Sequence, residues 1–180
     1  TCAFTAKMFT DYCDFSMDRE VLTKVAYDVN LRMARFLSKT LEKQPDGTLL
    51  VKYSASPEQE HNGKHYHTKG CAFDQQMVYE CYKDTVKIAD ELGIKDDFVE
   101  QIRKDMLLLD PVQIGADGQI KEFREEINYG DIGEPYHRHI SHLLGLYPGT
   151  LINSSTKEWL EGAKVALIRR GNLSSGWSVA

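Results

Sequence analysis

Long apolar runs and clusters of basic residues are both missing from this chain of 180 residues. No apolar stretch approaches the roughly 20 residues that a membrane-spanning helix needs, so we expect no membrane partner. The formal net charge is −5, and the 22 lysines and arginines are scattered along the chain, so we expect no nucleic-acid partner. The composition, with 42% hydrophobic residues, is typical of a globular protein with a real core.

Cysteines are few and none is paired in a C-x-x-C motif. The four positions are Cys2, Cys13, Cys71 and Cys81. This spacing argues against a cysteine-based zinc site. We therefore predict free and mostly buried thiols.

The two ends of the chain lack the usual start and stop signals. The opening "TCAFTAKMFTDYCDF" has no initiator methionine and no basic segment followed by an apolar one, and the chain ends in "SSGWSVA" just as an apolar segment begins. We expect an internal piece of a longer protein, with residues 1–180 forming a single domain.

Helical periodicity dominates the sequence. Apolar residues recur on one helical face over residues 18–43, 74–92 and 96–109, and Gly93 follows the second segment where a helix C′ residue belongs. A capping box at Ser155–Glu158 predicts a last helix that stops at Gly171. Strand character is confined to residues 46–56 and to a small hairpin over 111–123. The predicted fold class is mainly α, with helical hairpins joined by long loops.

Two of these loops, residues 46–73 and 111–142, hold all the histidines and are the expected place for function. The histidines are His61, His65, His67, His137, His139 and His142. The H-x-H-x-x-H pattern supplies three imidazoles for a metal ion, although Arg138 between two of them would repel a dication. Hydrogen bonds from these side chains to loop backbone are the second interpretation.

A polyhydroxylated ligand is the third interpretation. Sugars are bound by fork-like guanidinium donors, by imidazoles that donate and accept, and by aromatic platforms. The sequence supplies this mixture in Tyr136, Arg138, His139, His142, Tyr147 and Trp177.

Two glutamates stand outside the helical charge patterns. Glu58 lies in the loop "SASPEQEHNG", and Glu122 lies on the predicted hairpin in "GQIKEF". Glycoside hydrolysis needs one carboxylic acid to protonate the leaving oxygen and a base or nucleophile across the sugar ring. These two acids are therefore the candidates for acid–base catalysis.

Five segments, taken in order, resemble glycoside hydrolase family 95, a family of α-L-fucosidases with some α-L-galactosidases. They are "SASPEQ", "AFDQQMVYECYKDTVKIADELG", "LDPVQIGADGQIKEF", "PYHRHISHLLGLYPG" and "SSGWSVA". The resemblance implies a bacterial catalytic domain with an (α/α)6 toroid, of which this chain would be the middle part. The rest of that domain would then be its partner.

The resemblance also implies a mechanism, the inverting hydrolysis of terminal α-1,2-linked L-fucose in a glycan, without a metal ion or other cofactor. Glu58 matches the family's general acid, whose pKa must be raised by a partly apolar pocket. His137 or His139 would lie at the fucose, and Glu122 would support or line the pocket. Asp74 would either contact the ligand or cap the following helix.

The remaining residues of the pocket wall or its support would be Tyr136, Arg138, His142 and Trp177. The family's asparagine pair and its supporting aspartate, which activate water, have no counterpart in residues 1–180. We therefore expect this chain to be inactive by itself. Two other classes stay open, namely a helical carbohydrate-binding module without catalysis and a histidine-rich metal-binding domain. The sequence does not decide between fucose and galactose.

Overall fold

The computed structural model describes residues 2–172, which are mainly helical as predicted. The helices are α1 (Cys2–Ser16), α2 (Arg19–Val21), α3 (Tyr27–Ser38), α4 (Ala72–Leu92), α5 (Asp97–Asp105) and α6 (Lys157–Arg170). Two-stranded sheets pair β1 (Leu41–Lys43) with β2 (Leu49–Val51) and β3 (Glu60–His61) with β4 (Lys64–His65). Across the described residues, no helix combines the length and the apolarity needed to cross a membrane.

The chain forms two compact units. One contains the residues before Leu50 together with Met77–Leu109, and the other contains Leu50–Gln76 together with the residues after Leu109. Of the candidate site residues, all that the structure describes belong to the second unit. The toroid and the single domain over residues 1–180 stay predictions.

In the first unit, the single helix predicted over residues 18–43 is wrong in its length and in its buried face. Asp18 caps α2 by accepting hydrogen bonds from the backbone of Glu20 and Val21, and a π-helical segment over Leu22–Ala26 then leads into α3. The wider turn changes the buried face, which consists of Leu22, Ala26, Asn30 and Ala34 at intervals of four residues. Val25 and Phe36, two of the apolar residues on the helical face predicted over residues 18–43, are exposed, and the helix ends at Ser38.

The prediction for α4 is confirmed, whereas α5 ends at Asp105 and a 3-10 turn over Met106–Leu108 completes the segment predicted to be helical. Gly93 follows α4 with a φ of 66°, and its N–H donates to the carbonyl of Asp90. Asp96 then caps α5 by accepting from the N–H groups of Phe98 and Val99. The glycine is needed here because the left-handed conformation at C′ disfavours a side chain.

A buried ion pair links α1 to α4 in the first unit. Lys7 Nζ lies 3.5 Å from Asp84 Oδ2 and 3.1 Å from Asp11 Oδ1, and the Lys7 and Asp84 side chains are both buried. Burial raises the pKa of Asp84, although the charge of Lys7 opposes the shift. This pair consequently holds two helices together through charges that cannot be solvated separately.

Cysteine behaves as predicted in the described residues. Cys13, Cys71 and Cys81 are free and buried, while the side chain of Cys2 lies outside the description. Burial raises the pKa of both Cys71 and Cys81 to about 12. Because the thiolate is the reactive form, these thiols are chemically inert near neutral pH.

In the second unit, β3 and β4 form a hairpin that the sequence analysis missed. Glu60 pairs with His65 and His61 with Lys64, so that Asn62 and Gly63 make the turn with φ values of 54° and 71°. Asn-Gly is the preferred pair for a two-residue turn with positive φ at both positions. The hairpin begins two residues after Glu58 and fixes where that loop ends.

The hairpin predicted over residues 111–123 is present in reduced form. Ile114 and Ile120 make a single antiparallel bridge, and Gly115 N–H donates to Gln119 O at 2.8 Å. The bridge packs on α6, where Ile120 N–H donates to the carbonyl of Gly162. At Gly162 the helix therefore lies directly against the hairpin.

The predicted capping box at the start of α6 is wrong. Thr156 occupies the N-cap position but makes no side-chain hydrogen bond to the helix. Its hydroxyl instead accepts from the N–H of Asn153 at 2.8 Å. Ser155, which the capping box places at the N-cap, lies one residue before the actual cap and donates its hydroxyl to Asn153 Oδ1 at 2.6 Å.

Replacing Gly162 by alanine is expected to destabilise the chain by about 1–2 kcal/mol. An added Cβ would lie 2.6 Å from Ile114 Cδ1 and 3.3 Å from the carbonyl oxygen of Gly118. This overpacking opposes the gain of about 1 kcal/mol that alanine normally gives inside a helix. Urea unfolding followed by circular dichroism measures the difference, with the exposed neighbour Glu161→Ala as control. A Gly162→Ala chain more stable than wild type would contradict the close approach.

Candidate active site

The centre of the candidate site is the buried carboxylate of Glu122, which lies at the end of the reduced hairpin. Its Oε1 accepts a hydrogen bond of 2.5 Å from Ser56 Oγ. Its Oε2 accepts from Gln59 Nε2 at 3.0 Å and from an Arg170 guanidinium nitrogen at 3.1 Å. Both oxygens are thus used by three donors, two from the Glu58 loop and one from the end of α6.

Arg170, the last residue of α6, is the buried cation of this site. It donates to Glu122, to the backbone carbonyl of His137 at 2.7 Å and to that of His139. Its Nε donates to Tyr129 Oη at 2.6 Å. The side chain is 3% exposed, so these acceptors replace water around the guanidinium.

Glu58 has the opposite environment. Its side chain is 59% exposed and forms an ion pair with Arg138, and one of its oxygens lies 3.6 Å from His139 Nε2. The described residues thus bring Glu58, Arg138 and His139 together, but they do not supply the apolar surroundings that a general acid needs.

The histidine segment, residues 137–142, begins with one buried and one half-buried imidazole. His137 is buried, and its Nδ1 accepts from the N–H of His139 at 3.1 Å. Burial lowers the pKa of both imidazoles, and the charge of Arg138 lowers the pKa of His139 further. Both rings are therefore neutral near pH 7, the form that both donates and accepts hydrogen bonds.

His142 is fully buried within the second unit. Burial lowers its pKa to about 4, with Arg170 lowering it further and Glu122 opposing the shift. Its Nδ1 lies 3.4 Å from Glu122 Oε2, yet neither ring nitrogen makes a hydrogen bond to another described residue. The side chain is consequently a neutral imidazole packed against the Glu122–Arg170 pair.

Asp74 does not cap the helix, because α4 already begins at Ala72. Its carboxylate accepts from Ser54 Oγ at 2.7 Å, and the Ser54 hydroxyl accepts in turn from the N–H of Cys71. Burial raises the pKa of Asp74. The capping interpretation is therefore wrong, and Asp74 instead fixes the start of the loop that leads to Glu58.

Two aromatic residues complete the predicted set. Tyr136 is exposed beside the histidine segment. Trp177 lies outside the described residues. Tyr147 is also exposed, but none of the contacts described above brings it to the Glu58 loop.

The described part of the chain contains no group of three or more histidine, cysteine, aspartate or glutamate side chains placed to hold a metal ion. His61 accepts a hydrogen bond from the N–H of Gly133 at 3.3 Å, and its ring contacts Tyr66 edge-on. The rings of His137 and His139 contact each other, with centroids 5.1 Å apart.

Sequence reasoning missed Arg170, Ser56 and Gln59. A buried glutamate requires donors, but the sequence does not show which donors, 48 to 66 residues away, will reach it. The only local signal for Arg170 was a basic residue in the last turn of a helix, which is usually an exposed partner of the helix dipole. Ser56 and Gln59 lie on either side of Glu58 in a loop that the sequence analysis had already selected. Their roles were therefore easier to predict from the sequence than that of Arg170.

Glycoside hydrolysis canonically uses a pair of carboxyl groups, and the second unit holds two candidates, the exposed Glu58 and the buried Glu122. The family model described as "Glycosyl hydrolase family 95 catalytic domain" matches residues 1–180. The chain belongs to this family.

Curated relatives carry fucosidase names. "Alpha-L-fucosidase 2" of Arabidopsis thaliana is 29% identical over 174 residues, which cover 93% of this chain and 20% of that protein. "Probable alpha-fucosidase A" of Aspergillus niger is 31% identical, covering 99% of this chain and 24% of the relative. The protein of the same name from Aspergillus oryzae is 36% identical over 112 residues, which are 60% of this chain and 15% of that relative. The chain thus spans at most about a quarter of their length, and their plant and fungal sources give no support to the expected bacterial origin.

The buried imidazole makes stability depend on pH. The folded-state pKa of His142, about 4, lies below its ordinary value of 6.5, so the unfolded chain binds more protons between these values. The contribution of this residue to the free energy of unfolding is fully present above pH 6.5. It falls as the pH is lowered toward 4, by about 2 kcal/mol between pH 7 and pH 5. Urea unfolding at both values should show this loss in wild type and a smaller loss in His142→Gln.

The exposed His65 provides the matched control, because His65→Gln removes an imidazole that is solvated in both states. We expect this variant to retain the pH dependence of wild type. An unchanged pH dependence in His142→Gln would contradict the assignment.

Proposed function

We propose that this chain is a segment of a glycosidase catalytic domain that hydrolyses terminal α-1,2-linked L-fucose with inversion. Glu58 is the general acid and protonates the oxygen that leaves with the rest of the glycan. The relatives' printed names support the fucoside class. The observation that carries the assignment of Glu58 is the contrast between the two candidate glutamates.

Glu122 is unsuited to proton donation because both of its oxygens accept hydrogen bonds and one faces a guanidinium. A carboxylate in that state is an acceptor only. Glu58 is exposed, and its loop is fixed by bonds from the residues on either side. An accessible acid on a fixed backbone is what protonation of a bound substrate requires.

The residues around Glu58 have proposed roles as well. Arg138 and His139 both approach its carboxylate and are the best placed to bind sugar hydroxyl groups, so we favour His139 over the more buried His137 as the fucose contact. His137 and His142 support this wall from behind, and Tyr136 provides an exposed aromatic face. Trp177 and Asp74 keep their proposed place near the pocket, the first by resemblance alone.

The water-activating side of the reaction lies outside this chain. The family's asparagine pair and supporting aspartate are absent from its sequence. We therefore place activity in the longer protein of which this is a segment, and we propose that the isolated chain has no turnover. The reaction uses no metal ion or other cofactor, and the partner is a fucosylated oligosaccharide instead of nucleic acid or membrane.

Glu58→Gln in the full-length protein is expected to lower the rate of hydrolysis of 2′-fucosylated lactose by about 10²–10⁴-fold. Glutamine keeps the size of the side chain but cannot deliver a proton. Glu60→Gln is the matched control, since Glu60 is an exposed glutamate two residues further on. Release of fucose, measured for wild type, both variants and the isolated chain, tests the proposal.

Three outcomes separate the alternatives. Full activity in Glu58→Gln would remove Glu58 as the acid. Binding of L-fucose without turnover by the full-length wild type would favour a carbohydrate-binding module. Wild-type hydrolysis of α-L-galactosides but not of α-L-fucosides would correct the sugar and leave the mechanism in place.

A further inference from the structure

We propose that Glu122 and Arg170 are positioning residues, whose buried ion pair holds the Glu58 loop against the segment that carries Arg138. The side chains of Glu58 and Arg138 are exposed and meet only at their charged ends. This contact does not fix the backbone behind either side chain. The fixed part of the site is the pair of charges buried beneath them.

On the loop side, the Glu122 carboxylate binds both residues that bracket Glu58. Ser56 Oγ, two positions before Glu58, donates to Oε1 at 2.5 Å, and Gln59 Nε2, one position after it, donates to Oε2 at 3.0 Å. Ser56 and Gln59 are both buried. Charge-assisted bonds of this kind are about twice as strong as neutral ones, so the backbone of Glu58 is fixed from both directions.

On the other side, Arg170 binds both residues that bracket Arg138. One guanidinium nitrogen donates to the carbonyls of His137 and His139, which immediately precede and follow Arg138. The other terminal nitrogen donates to Glu122 Oε2. A planar guanidinium presents these donors in a fixed fork, which a lysine ammonium does not reproduce.

Tyr129 fixes the orientation of that fork. Its hydroxyl accepts from Arg170 Nε at 2.6 Å and donates to the carbonyl of Pro135 at 2.6 Å. Two neutral bonds also connect the segments directly, from Ser141 Oγ to Pro57 O and from Glu134 N–H to Gln59 Oε1. All of these groups belong to the second unit, and the ion pair is the charged centre of the set.

The consequence for catalysis follows from the geometry. A displacement of about 1 Å of a catalytic group lowers a rate by roughly 10²-fold, even when the change lies away from the chemistry. Glu122 and Arg170 do not touch substrate in this scheme. They act on the rate through the positions of Glu58 and Arg138, and this kinetic part rests on the proposed function.

Two measurements on the full-length protein test the inference, with Glu122→Gln and Arg170→Gln as the main variants. Hydrogen–deuterium exchange follows the backbone of residues 56–61 and 134–143, where the N–H groups of Gln59 and His137 are hydrogen-bonded. We expect exchange in both segments to accelerate by about tenfold or more, since local opening controls exchange. Kinetics on 2′-fucosylated lactose should show kcat per folded molecule lowered by about 10–100-fold, with KM changed by less than about threefold.

Milder variants guard against a general loss of folding. Ser56→Ala removes one bond to Glu122 and should loosen residues 56–61 while leaving residues 134–143 protected. Arg170→Lys keeps the charge but not the fork, so it should recover part of the kcat lost in Arg170→Gln. Asp84→Asn removes a buried, ion-paired carboxylate in the first unit and should lower stability without a change in kcat.

The outcomes distinguish this inference from the proposed function. Unchanged exchange in both segments of Glu122→Gln and Arg170→Gln overturns the inference, whatever the activity. A kcat per folded molecule equal to wild type in both variants also overturns it and leaves only a structural role. Suppose that both segments exchange faster in the two variants while the wild-type protein hydrolyses neither fucosides nor galactosides. That result supports the positioning of the two segments and overturns the proposed function instead.

Discussion

The buried ion pair between Glu122 and Arg170 is the constraint on which the second unit depends. Removing two charges from water carries a penalty of several kcal/mol for each ion, and attraction between the two offsets it only when the other lone pairs and donors are also satisfied. Here serine and glutamine donors complete the carboxylate, while two backbone carbonyls and a tyrosine hydroxyl complete the guanidinium. The pair therefore requires four separate stretches of chain to be in place together, and leaving either charge alone is expected to cost about 3–5 kcal/mol.

The same pair explains why His142 is neutral and unpaired. An imidazolium beside Glu122 would gain attraction, but Arg170 already neutralises that carboxylate and repels a second cation. Burial then decides the balance in favour of the uncharged ring. The charges of Glu122 and Arg170 thus balance each other in the interior, while Glu58 and Arg138 lie at the surface.

Much of the helical frame could be predicted because local rules govern it. The face of α4 repeats with a helical period, and Gly93 supplies the left-handed residue that ends it. The prediction failed where the helical turn widens within an element. After the π-helical turn, Asn30 is buried and Val25 is exposed. It also failed at the start of α6, where the hydroxyl of Ser155 donates to Asn153 in the preceding turn. The Asn62–Gly63 turn was readable from the sequence and was overlooked.

The site was less predictable than the frame, because its connections are tertiary. Glu58 was found through its loop and its resemblance to a family motif, and Glu122 was found because it lies outside a helical charge pattern. Arg170 gave no such signal, since its spacing from Glu122 and His137 follows no period and only the folded chain brings them together. A search for the donors that a buried acid must have narrows the candidates to polar residues, but the sequence alone does not select among them.

The strengths of the interactions are graded in a way that suits a glycosidase. An exposed ion pair such as that of Glu58 and Arg138 contributes about 0–1 kcal/mol, because solvent screens it and two long side chains must be ordered. Either side chain can therefore exchange its partner for a sugar hydroxyl with little loss of free energy. The backbone of the loop has no such freedom, since moving it breaks charge-assisted bonds to a buried carboxylate. The side chains that must contact the substrate are thus held weakly at their charged ends, while their backbone is held firmly.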